Sequence, residues 1–127
     1  MLLLNKFYKV IKETRLDQNQ AVYLVSILPN ADVYRGHFPH KPVCPGVCNI
    51  EMIRECAEMF SGRDLALKYI KQCRLTAVAT PQVCPLVDVQ VQLLPAEGGY
   101  LVQGKIADGD TIYMELKGEL SFKQVEN

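Results

Sequence analysis

An α+β fold, with one antiparallel sheet of about six strands wrapped around a single central helix, is what this 127-residue sequence predicts. Three observations carry that expectation. Only one segment has helical periodicity; six segments rich in Val, Ile, Leu and Tyr, with turn residues between them, read as strands. A lone helix with a wide apolar face can bury it only against a sheet. At this length folding buries roughly two-thirds of the unfolded chain's surface, so one real core and a single domain over residues 1–127 are expected.

Proline and glycine supply the punctuation. Residues 7–15 and 21–28 read as two strands joined by the polar turn Asp17-Gln18-Asn19-Gln20, and Pro29-Asn30 ends the second. From Asp32 to Pro45 the chain carries Pro39, Pro42 and Pro45, each of which removes a donor and restricts its predecessor, so regular helix is excluded. A loop of that length in a small domain is usually functional. After Pro45-Gly46, the positions Ile50, Ile53, Ala57 and Phe60 recur at helical spacing, and Ser61-Gly62 supplies a stop. Residues 66–78, 86–94, 100–107 and 111–123 read as strands, separated by Pro81, by Pro95-Ala96-Glu97-Gly98-Gly99 and by the hairpin-type Asp108-Gly109.

Fourteen basic residues balance fourteen acidic ones, so the sequence offers no field of the kind that draws nucleic acid or an anionic membrane, and neither is expected as a partner. The opening Met1-Leu2-Leu3-Leu4 is cut short by Asn5 and Lys6, and no run approaches about 20 apolar residues, so a cytoplasmic location is expected. Five cysteines without paired spacing suit reduced thiols, most of them small core residues.

The stretch from Gly36 to Glu51, G-H-F-P-H-K-P-V-C-P-G-V-C-N-I-E, carries the chemistry. It resembles the signature of the beta-hydroxyacyl-(acyl carrier protein) dehydratases, H-F-P-x-x-P-x-x-P-G-V-x-x-x-E. His37, Phe38, Pro39, Pro42, Pro45, Gly46, Val47 and Glu51 all fall in register. Cys73-Arg74-Leu75 followed by Pro81 is similar to the family's later strand and loop, whereas the family's Gly-Asp after that proline is here Gln82-Val83. The resemblance implies a hotdog fold working as a homodimer or an assembly of dimers. It also implies dehydration of a (3R)-hydroxyacyl group on acyl carrier protein to the trans-2-enoyl product, in fatty-acid synthesis or a specialised acyl pathway such as one making a polyene.

Such an elimination needs a base for a weakly acidic alpha hydrogen, stabilisation of the enolate-like oxygen and a proton for the departing hydroxyl. By the resemblance His37 is the base and Glu51 positions or protonates the hydroxyl; an imidazole titrates near neutrality, as the first task requires. With Pro45 just before the helix, the N–H groups of Gly46 and Val47 are unpaired at its positive end, where they suit a thioester carbonyl; Phe38 joins them as a substrate-binding residue. No metal or organic cofactor is required.

Plainer readings stand beside these. His37 alone is an ordinary loop histidine. Glu51 lies on the wheel with Arg54, Glu55 and Glu58, which periodicity reads as a solvated face. His37, His40, Cys44 and Cys48 are ligand types in a short span, but the prolines between them make zinc geometry doubtful. Arg63, Lys68, Lys71 and Arg74 against Asp64 leave a local charge of plus three: a solvated strand face, or a patch where Lys68, Lys71 and Arg74 dock an acidic carrier protein. The rival functions are a thioester-binding hotdog subunit without turnover, which the departure at Gln82-Val83 keeps alive, and a hotdog thioesterase.

Overall fold

The computed structural model describes residues 3–28, 46–77 and 86–123. Within them lie strands β1 (Tyr8–Arg15) and β2 (Gln20–Ile27), helix α1 (Gly46–Ser61), and strands β3 (Leu65–Leu75), β4 (Leu86–Ala96), β5 (Gly99–Asp108) and β6 (Thr111–Phe122). All six strands form one antiparallel sheet in the order β1-β2-β4-β5-β6-β3, with the helix on one face. This is the α+β arrangement that the sequence predicts.

Period-two alternation selects the buried face. Ala21, Tyr23, Val25 and Ile27 of β2 and Val87, Val89, Val91 and Leu93 of β4 are buried, as are Val102 and Ile106 of β5 and Met114, Leu116 and Leu120 of β6. Met52, Ile53, Cys56, Ala57 and Phe60 of α1 meet them. The helix comes this close because Gly104 has no side chain: a Cβ there would lie 2.5 Å from Ile53 Cγ2. At its other end Gly62 takes the left-handed conformation (φ 70°) and its N–H donates to Glu58 O at 2.9 Å, the expected stop.

Two boundaries depart from the sequence reading. The stretch Pro95–Gly99 predicts a loop, yet β4 runs on to Ala96 and Pro95 pairs with Tyr100 of β5. Strand β2 ends its pairing at Gln92, so beyond that point β4 is locally an edge and the missing N–H of Pro95 breaks no ladder. Strand β3, expected over 66–78, stops at Leu75, and there the Thr76 side chain turns to donate to Ile112 O.

The outermost strands, β1 and β3, differ. On β3, beyond the buried Leu65, the residues sharing the helix side of the sheet are Leu67, Ile70, Cys73 and Leu75, which lie opposite Leu120, Gly118, Leu116 and Met114. All four are exposed, so an apolar strip continues the core outward past the last strand. Among the described residues nothing covers it.

Candidate active site

Helix α1 positions the site. Its first turn has no intrahelical acceptor for its N–H groups, and among the described residues nothing else accepts from Gly46 or Val47. The partial positive charge of that end is therefore presented outward. Val47 is 73% exposed, and among the described residues a Cβ built on Gly46 would meet one atom, Leu75 Cδ1 of β3, at 3.4 Å. Cys48 is buried beside this turn, and burial first, then the Glu51 carboxylate, pushes its thiol up.

Glu51 follows at the next turn with its side chain 29% exposed. Its Oε1 accepts a hydrogen bond from Arg54 Nε; the same guanidinium reaches Glu58 Oε1 at 2.9 Å and Leu65 O at 2.7 Å, and lies 4.0 Å from Glu55 Oε2. Glu55 is fully buried and accepts from Tyr8 Oη at 2.9 Å and from the N–H of Leu3 at 3.0 Å. Glu58, also buried, accepts from the N–H of Leu65 at 2.9 Å. These contacts overturn the reading of Glu51, Arg54, Glu55 and Glu58 as a solvated face: three of the four are inside, because one guanidinium and three backbone or phenolic donors satisfy their charge. The hydrogen bond to Glu51, ahead of the Glu58 and Glu55 charges, raises the Arg54 guanidinium above its ordinary value against the lowering effect of burial.

Of the predicted basic patch, Lys68 and Lys71 are the extra residues of two β-bulges, since pairing with β6 skips from Leu67 to Tyr69 and from Ile70 to Gln72. Lys68 Nζ lies 3.5 Å from Glu119 Oε2, and Arg74 faces Glu115 across the strands. Arg63 stacks on the Phe122 ring with Cζ 3.9 Å from the centroid. The patch is exposed and partly neutralised by its neighbours on β6.

Comparison with known proteins decides the family: the ApeI-like family, described as ApeI dehydratase, matches residues 12–108. The chain belongs to the ApeI-like dehydratase family.

FabZ-type dehydratases are also similar to this chain. The 3-hydroxyacyl-[acyl-carrier-protein] dehydratase FabZ of Levilactobacillus brevis is 29% identical over 92 residues, covering 64% of this chain and 62% of its own. That of Teredinibacter turnerae is 28% identical over 88 residues, covering 69% and 49%. The chain therefore spans about half to just under two-thirds of the length of these curated relatives. Among solved structures, the dehydratase heterocomplex ApeI:P from Xenorhabdus doucetiae superposes with a TM-score of 0.75 at 18% identity, covering 89% of this chain and 96% of that one. An uncharacterized protein from Erwinia carotovora subsp. atroseptica gives 0.56 at 16% identity, covering 93% of each. The ApeI-like chain thus has the hotdog fold.

The structure brings Gly46, Val47 and Glu51 together on the first turns of one helix, beside Leu75 of β3. His37 and Phe38, and with them His40 and Cys44, lie outside the described residues. Lys68, Lys71 and Arg74 fall on the edge strand, of which only the far end approaches Gly46. Sequence reasoning assigned Arg54 no role at the site. The signal was present, since an arginine three residues after one glutamate and four before another sits on the face of both. No described helix is long and apolar enough to cross a membrane.

Proposed function

We propose that this ApeI-like chain dehydrates (3R)-hydroxyacyl groups on acyl carrier protein to the trans-2-enoyl product. The observation that supports it most directly is Glu51, the matched motif acid, held in a partly exposed position one turn beyond two outward-facing N–H groups. In this reading His37 takes the alpha proton and the electron pair is held as an enolate on the thioester oxygen. It returns to form the C2–C3 double bond as the C3–O bond breaks; the hydroxyl takes a proton from the Glu51 carboxyl and leaves as water, and the proton on His37 then passes back to Glu51. The N–H groups of Gly46 and Val47 hold the thioester oxygen as negative charge builds on it. Phe38 completes the substrate-binding set. The FabZ relatives bear the name of this reaction.

The working unit in this proposal is a dimer of hotdog chains joined along β3. The strip of Leu67, Ile70, Cys73 and Leu75, uncovered among the described residues, extends the helix-side core to that edge, and Leu75 reaches the helix N-terminus, so a partner there would bring its own residues beside the site. Lys68, Lys71 and Arg74 serve to steer the acidic carrier. A second reading, a subunit that binds acyl groups while a different hotdog partner turns them over, is favoured by the heterocomplex formed by the Xenorhabdus doucetiae neighbour and by Gln82-Val83.

Mass spectrometry of a series of carrier-bound 3-hydroxyacyl thioesters, incubated with the purified chain, separates the readings. Loss of one water supports the dehydratase, release of free acid indicates a thioesterase, and retention of unchanged thioester indicates the binding subunit.

A further inference from the structure

We infer that Arg54 is a positioning residue for the Glu51 carboxyl, an inference that rests on the catalytic reading of Glu51. Three contacts fix the guanidinium from behind: Glu58 Oε1 at 2.9 Å, the Leu65 carbonyl at 2.7 Å, and Glu55 Oε2 at the longer distance of 4.0 Å. Its side chain is only 11% exposed. The planar fork then presents Nε to Glu51 Oε1 in one orientation.

A glutamate on a helix surface has three rotatable bonds, and ordering them for each turnover costs free energy that a fixed partner removes in advance. Anchoring Oε1 leaves Oε2 as the oxygen without a hydrogen bond among the described residues, and it is the one this assignment gives to the leaving hydroxyl. The anchor also ties the acid to Leu65, the first residue of the edge strand proposed to bring in the partner, so that acid and partner share one support. Arg54 touches no substrate in this scheme. Its effect passes entirely through Glu51.

The test is a double-mutant cycle by steady-state kinetics on a 3-hydroxyacyl pantetheine thioester. Arg54→Met would leave three carboxyls facing one another and is prone to unfold, so Arg54→Lys is the working variant: it keeps the charge and loses the fork. Circular dichroism confirms that it folds. In the parent, Arg54→Lys is expected to lower kcat about 10-fold with KM within about twofold; in the Glu51→Gln background it is expected to lower kcat no further. An equal loss in both backgrounds, or parental kcat in Arg54→Lys while Glu51→Gln has lost turnover, overturns the positioning role alone. If Glu51→Gln itself turns over like the parent, the catalytic reading of Glu51 fails and the positioning role fails with it.

Discussion

The guanidinium of Arg54 donates to the carbonyl of Leu65 at 2.7 Å, joining the middle of the helix to the first residue of the edge strand. Glu58 accepts from the N–H of the same residue at 2.9 Å, so both backbone polar groups of Leu65 belong to helix side chains. A strand that begins in this way is placed by the helix as well as by its ladder with β6.

Removing Glu58 is therefore expected to be costly. Glu58→Ala strands the buried Leu65 N–H and strips Arg54 of one of its partners, a loss of about 3 kcal/mol. Glu58→Gln keeps an acceptor for that N–H and should lose less. Urea unfolding monitored by circular dichroism gives both values, and equal stability of Glu58→Ala and the parent would refute the arrangement.

Alkaline pH should find a weakness in the core. Burial first, then the neighbouring Cys56 and Glu55 charges, pushes the Tyr8 phenol well above its ordinary 10.0; burial and Glu13 push up Tyr23 in the same way. A group whose ionisation is raised by folding contributes stability that is complete below the unfolded value and is lost as pH climbs past it. The buried thiols of Cys48 and Cys56, raised from 9.0, add to this, so stability should be level up to about pH 8, begin to fall near pH 9 and fall more steeply above about pH 10, by at most roughly 1.4 kcal/mol per pH unit for each such group. Tyr8→Phe should remove one group's share of that slope, and at neutral pH it should cost about 1–3 kcal/mol because Glu55 loses a donor. Unfolding curves across this pH range, with an unchanged slope in Tyr8→Phe, would count against it.

Much of the fold was legible because the core strands keep strict alternation and the helix keeps one apolar stripe, both of which survive in sequence. What was not legible depended on neighbours distant in the chain. Pro95 could enter a strand only because β2 had already ended beside it. Glu55 reads as a surface residue until Tyr8 and Leu3, some fifty positions earlier, are placed against it. That Gly46, Val47 and Glu51, the residues proposed for the site, share the start of one helix was readable from the motif. The contact of Arg54 with Glu51 was hidden behind a pattern of charges that ordinarily faces water.

The edge of β3 can be followed through its cysteine. Cys48 and Cys56 are buried, with thiols raised chiefly by burial, whereas Cys73 is exposed on the apolar strip. Of these three, Cys73 should be alkylated first when the protein is dilute. If β3 is the dimer edge, its labelling should slow as concentration rises through the dissociation constant, while Cys48 and Cys56 stay unreactive. Peptide mass spectrometry after timed iodoacetamide treatment reads all three; labelling of Cys73 that ignores concentration in a demonstrated dimer places the interface elsewhere.

The family resemblance implies that Glu51 of one protomer faces His37 of its partner, and a site shared in that way predicts complementation. Neither His37→Ala nor Glu51→Gln subunits alone should turn over appreciably, with losses of about 10²-fold or more. A mixed dimer would contain one intact pairing, so mixing the two preparations should restore part of the activity. With mixed dimers demonstrated by mass and no recovery seen, each site would have to be built from one chain.

The clearest separation between stability and catalysis lies at the helix N-terminus. Among the described residues a methyl group at Gly46 meets only Leu75 Cδ1 at 3.4 Å, an ordinary contact, and the position has no left-handed backbone to protect. Nothing within the described chain requires glycine there, so Gly46→Ala should change unfolding free energy by no more than about 0.5 kcal/mol. Activity is another matter if the thioester oxygen must come within hydrogen-bonding distance of this N–H. The added methyl would then hold it off, and the loss, falling where charge develops in the transition state, should lower kcat roughly 10²-fold. Val47→Ala makes the control, since it leaves its own N–H in place and trims a side chain that is 73% exposed in the single chain. Its effect on kcat should stay within about threefold, with any larger change appearing in dimer affinity. Thermal melts and steady-state kinetics on one soluble 3-hydroxyacyl thioester measure both variants side by side. A fully active Gly46→Ala, or a Val47→Ala that is the more impaired in kcat, would mean that the carbonyl is held away from this end of the helix.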